Sequence, residues 1–114
     1  MPRDARTILQ DAITSGERIE SWTRTISLET FLADRRTQAA VEREFEIVGE
    51  ALIRLRREFP AVAARVPELR EVVDFRNLIS HGYDAVDHRV VWSLARLELP
   101  TLLAALRKIG SDAI

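Results

Sequence analysis

Between residues 41 and 59 the apolar side chains Val41, Phe45, Val48, Leu52, Leu55 and Phe59 recur at alternating intervals of four and three. An α-helix, with 3.6 residues per turn, gathers all six onto one stripe. A stripe that long has to be buried against other helices, so this one segment predicts a helical bundle. The helix must end by Phe59, because Pro60 pushes the residue before it out of helical geometry.

The remaining chain divides around that helix. A first helix is expected from about Arg3 to Thr23, with Ile8, Ala12, Ile19 and Trp22 on one stripe and Gly16 weakening its middle. Ser27 suits the N-cap of a short helix through Leu28, Phe31 and Leu32, and Asp34 or Thr37 starts the long helix that follows. After a short connection over 61–66, Pro67 fits the first position of a further helix, whose missing N–H costs nothing there. Leu69, Val72, Val73 and Ile79 give that helix its apolar side, and Gly82 is its natural stop. Asp87 can cap a last helix bearing Val91, Leu94, Leu97, Leu102, Leu103 and Leu106, which Pro100 should kink or split. No strand-like alternation competes with these patterns. The expected architecture is all-α: an antiparallel bundle of four to five helices forming a single domain over residues 1–114.

At 114 residues, a monomer buries only about 60–70% of the surface of its unfolded chain, which makes a self-complementary dimer face plausible. The absence of cysteine excludes disulfides and thiolate metal sites. No window reads as a signal peptide or a membrane span, so a cytoplasmic protein is expected. A net charge of −1 argues against non-specific coating of nucleic acid, although a few fixed cations in a local cleft would suffice for RNA chemistry. Nearly all the positive charge is arginine, with Lys108 the only lysine. That bias alone decides nothing.

Chemistry concentrates in one stretch, "DFRNLISHGYDAVD", residues 74–87. Arg76 lies three residues from both Val73 and Ile79, so it shares the apolar side of its helix. A cation there needs a partner, and Glu46 or Glu50 on the long helix could supply it. His81 follows five residues later, roughly 140° around an ideal helix, at a C-terminus where the helix dipole favours a cationic imidazole. The functional alternative treats Arg76 and His81 as one device. A histidine titrating near neutrality moves a proton to or from an RNA hydroxyl, and a guanidinium grips a phosphate through paired N–H donors. Together they could drive attack of a 2′-OH on the adjacent phosphate with no metal and no cofactor, and Asn77 and Ser80 could orient either group. The rival chemistry is a metal held by His81, Asp84, Asp87 and His88. Asp87 already serves as a cap, and the set matches no dependable ligand spacing. Tyr83 should lie near the same cleft, where its ring could stack on a base or pack against the bundle end, and its hydroxyl could accept a modification.

The segment "RNLISHGY" resembles the R-x-x-x-x-H-x-Y signature of HepT-like toxins in the HEPN superfamily. "AVEREFEIVGEAL" (40–52) and "YDAVDHRVVW" (83–92) are similar to the segments flanking that signature, and the likeness covers roughly residues 5–107. It implies helical-bundle homodimers whose two motif copies face each other across a cleft. It also implies a metal-independent endoribonuclease acting as the toxin of a toxin–antitoxin module. Arg76 and His81 match the catalytic pair and Asn77 the accompanying polar residue. Tyr83 matches the tyrosine that an MNT-type nucleotidyltransferase antitoxin AMPylates to silence the toxin. Two other readings compete: a non-catalytic helical dimer that binds a nucleotide or docks onto a nucleotidyltransferase, and a purely structural bundle with Arg76 in a buried salt bridge.

Overall fold

A computed structural model describes residues 3–81 and 86–112, all of whose regular elements are helical. Helix α1 spans Arg3–Arg24, α2 Leu28–Ala33, α3 Arg35–Glu58, α4 Pro60–Ala63 and α5 Leu69–His81. Helix α6, His88–Ser93, runs through a π-helical turn at Leu94–Glu98 into α7, Leu99–Ser111. Helices α1, α3, α5 and the α6–π–α7 run form the bundle, and α2 and α4 are its short connections. Arg18 of α1 pairs with Glu44 of α3 at 3.1 Å, while Asp4 and Asp11 act on Arg54, so α1 and α3 run antiparallel.

The predicted caps are in place. Ser27 accepts from the Thr30 amide at 3.1 Å to start α2. Asp34 closes α2 and opens α3, accepting from both the amide and the hydroxyl of Thr37 at 3.1 and 2.6 Å. Those two bonds hold its carboxyl below the usual carboxylate range. Helix α3 stops at Glu58, as Pro60 requires, and Asp87 caps α6 through the Arg89 amide at 2.9 Å.

Five expectations are corrected. Pro67 does not begin α5. It sits in the preceding turn, where Glu68 takes a left-handed φ of 57° and offers its carbonyl to the Val72 amide. Val66 is buried in that turn, and the chain needs the extra residues to reverse onto α3. Trp22 is 39% exposed; Thr23 takes the buried position instead, its hydroxyl satisfied by the Ile19 carbonyl at 2.8 Å. Gly16, expected to weaken the middle of α1, does not interrupt it. Leu97 is 69% exposed, and Ala95 and Leu99 occupy the core in its place. The cause is the π turn: its wider loop, closed by the Leu99 amide onto the Leu94 carbonyl, moves the buried stripe round by one residue. Pro100, which has no amide to donate, falls at the start of α7, so the helix is neither broken nor sharply split there. The expected stop at Gly82 lies outside the described residues.

The core is one contiguous cluster centred on Phe31, Ile8, Leu9, Ile19, Leu52, Leu55, Leu103 and Leu106. Ser15 and Gly16 lie inside it, letting α7 approach α1 closely. A methyl group at position 16 would stand 2.5 Å from Cδ2 of the fully buried Leu103, whereas one at Gly110 meets nothing within 4 Å. Gly16→Ala should therefore lower the unfolding midpoint although alanine is the better helix former. Gly110→Ala should raise it, by up to about 1 kcal/mol. Thermal melts of the two variants check the opposite signs.

Candidate active site

Helix α5 carries the expected chemistry, and its seat on α3 positions it. Val73 is buried and Phe75 meets Phe45 of α3 edge to face, ring centroids 5.3 Å apart. One residue further on, Arg76 crosses α3 at Gly49, where any side chain would overlap its Cβ and Cγ. The aliphatic stem of Arg76 thus fills the space a larger residue would take, leaving its side chain 23% exposed.

The guanidinium is held on both terminal nitrogens. Nη1 donates to Oδ1 of Asn77 at 3.0 Å, and Nη2 lies 3.6 Å from Oε1 of Glu50. Nε is buried with no hydrogen-bond partner among the described residues. Of the two glutamates foreseen as partners, Glu50 takes the arginine. Glu46 instead accepts from the Ser80 hydroxyl at 2.9 Å. Glu50 is itself shared, since Arg43 lies 3.8 Å from the same oxygen.

Glu42 completes a row with Glu46 and Glu50, each four residues on and so on one side of α3. Burial pushes the Glu42 carboxyl up; His88 pulls it back, and Glu46 adds to the rise. His88, at the first position of α6, has its Nδ1 buried without a partner among the described residues. The row Glu50–Arg76, Glu46–Ser80 and Glu42 beside His88 therefore ties α5 and the start of α6 to one polar edge of α3. Spacing of four along α3 was visible in the sequence, but which carboxylate met which partner was not.

His81 ends the described part of α5 and is exposed, with no hydrogen-bond or ion-pair partner among the described residues. Arg76, Asn77 and Ser80 are thus brought together with the acidic edge of α3, and His81 stands on the open end of the same helix. Neither Arg76 nor His81 is sealed in a packed layer. A cleft of about 560 Å³ between α3, α4 and α5, lined by Arg56, Arg70 and Asp74 among others, reaches Asn77. Tyr83 and Asp84 lie outside the described residues. Among the described residues no group of three or more histidine and acidic side chains is placed to hold a metal ion. No described helix is long and apolar enough to cross a membrane.

Comparison with known proteins adds to this geometry. The family model described as "Ribonuclease HepT-like" matches residues 12–109. The chain is 36% identical over 109 residues to "Probable ribonuclease HepT" of Thermococcus cleftensis, covering 96% of this chain and 98% of that one. It is 32% identical over 102 residues to a protein of Caldanaerobacter subterraneus subsp. tengcongensis named as a putative RNase, covering 90% and 87% respectively. No solved structure gives a significant match.

The contact at Gly49 yields a stability prediction. Gly49→Ala improves helix propensity but forces α5 off α3, so the variant should lose roughly 1–3 kcal/mol. Urea unfolding would show it; an unchanged midpoint would mean that the two helices separate freely at this crossing.

Proposed function

The chain belongs to the ribonuclease HepT-like family, and from that premise we propose that it is a metal-independent endoribonuclease, the toxin of a toxin–antitoxin pair. The observation that carries the reading is Arg76. Its stem is seated on α3 at Gly49, its terminal nitrogens meet the oxygens of Asn77 and Glu50, and the exposed His81 lies five residues further along the same helix.

In the reaction, an RNA phosphate meets the Arg76 guanidinium, which stabilises the charge that grows on the non-bridging oxygens. His81 exchanges the proton: its imidazole accepts from the 2′-OH or, when protonated, donates to the leaving 5′-oxygen. The 2′-oxygen bonds to phosphorus as the P–O5′ bond breaks. The products are a 2′,3′-cyclic phosphate and a 5′-hydroxyl. Asn77, bonded to Nη1, holds the guanidinium plane.

Helical register separates Arg76 and His81 around α5, so a cleft built by two copies of the motif relaxes the demand that both converge within one chain. A homodimer would also cover some of the apolar side chains left exposed, such as Leu78 on α5, Val90 on α6 and Leu97 on the π turn. In this reading Tyr83 is the residue that an MNT-type nucleotidyltransferase AMPylates, silencing the enzyme. The competing reading, a non-catalytic helical dimer that binds a nucleotide or docks onto the nucleotidyltransferase, keeps the same dimer and drops the cleavage.

Purified protein incubated with total RNA in EDTA should cleave it, leaving cyclic phosphate ends. Arg76→Ala and His81→Ala should each reduce the rate by about 10²-fold or more while folding normally. Cleavage surviving in either variant removes that residue from the chemistry. Co-expression with a genomically adjacent nucleotidyltransferase should add AMP to Tyr83, read by mass spectrometry; AMP on another residue, or none, contradicts the regulatory assignment.

A further inference from the structure

The outer edge of the Arg76 guanidinium already faces two protein oxygens, one from Asn77 and one from Glu50. That is the arrangement in which a phosphate would present two of its oxygens to the same edge. Nε offers no alternative edge, since it is buried behind the contact with Gly49. Any phosphate bound by Arg76 must therefore contend with the Glu50 carboxylate, which would otherwise stand beside it as a like charge. Glu50 is also held loosely. It is 45% exposed, its approach to Arg76 is longer than a hydrogen bond, and a second arginine, Arg43, lies two helical turns back at nearly the same distance. Arg43 is itself 59% exposed and makes no other ion pair within 4.0 Å among the described residues.

We infer that Glu50 is a built-in competitor of the RNA phosphate for Arg76, and that it hands over to Arg43 when substrate arrives. The inference rests on the ribonuclease reading above and specifies how its arginine is kept in the resting enzyme. Without RNA, the carboxylate neutralises a half-buried cation and holds its plane. With RNA, the phosphate takes the guanidinium edge, and the carboxylate swings to Arg43 instead of being left unpaired next to an anion. Free phosphate-like anions would meet the same competition, so weak binders are screened out while a polyanionic strand with further contacts succeeds. Glu46 cannot play this part, because its carboxylate is engaged by Ser80.

The test uses a fluorescently labelled single-stranded RNA of mixed sequence, titrated in EDTA with full-length protein carrying His81→Ala so that nothing is cut. Adding Glu50→Gln should tighten binding roughly two- to fivefold, the range expected for one partly exposed ion pair. It should also make the slope of log K against log salt more negative by about 0.7, one further phosphate contact on a single strand. Arg43→Ala should weaken binding when Glu50 is present and have no effect once Glu50 is glutamine. A purely structural Glu50 would lower the melting temperature and leave the salt slope unmoved; that result, or weaker binding by Glu50→Gln, overturns the inference. Arg43→Ala weakening both backgrounds equally would make Arg43 a direct RNA contact and overturn the hand-over. If none of the proteins binds RNA, the ribonuclease reading itself fails, an outcome distinct from binding that ignores Glu50.

Discussion

At Gly49 the third helix presents bare backbone, and the fifth helix lays the stem of Arg76 into the gap. Two helices that meet this closely gain dispersion contacts along their length and lose almost all freedom to slide. The edge-to-face pair of Phe45 and Phe75 fixes the same crossing one residue away. An arginine anchored by its own methylenes differs from one reaching out of a loop. Its stem cannot wander, so the charged end keeps its place beside Asn77 and Glu50.

The electrostatic setting follows from that placement. Three glutamates one turn apart make one edge of α3 acidic, and each has a different neighbour to answer it: an arginine, a serine hydroxyl and a histidine. Burial lifts the Glu42 carboxyl while His88 opposes the rise. A chain whose overall charge is near neutral thus sets a local cation beside an acidic edge. Net charge describes how such a protein behaves in bulk solution and says little about the potential a few ångströms from one guanidinium.

The helices themselves were largely legible in the sequence, because apolar spacing, Pro60 and the caps at Ser27, Asp34 and Asp87 are local signals with local causes. The misreadings of the core have two origins. Thr23 displaced Trp22 from the core, and Ser15 and Gly16 are buried with it. A search for large apolar residues overlooks small ones that admit a neighbouring helix. Leu97 was misassigned because one wide π turn shifts the register of everything around it, and nothing local to Leu97 announces that. At the site, the motif residues could be picked out by type. The choice between Glu46 and Glu50, and the importance of Gly49, depended on how two helices separated by a turn come to cross.

The close seating of Leu103 against Gly16 joins the first helix to the last. Between the two residues lie some three-quarters of the chain's residues, so this is among the longest loops the fold has to close. The contact that fastens the two ends of the bundle is therefore made across a long stretch of chain, and the helix bearing Arg76 and His81 lies within the span that it closes.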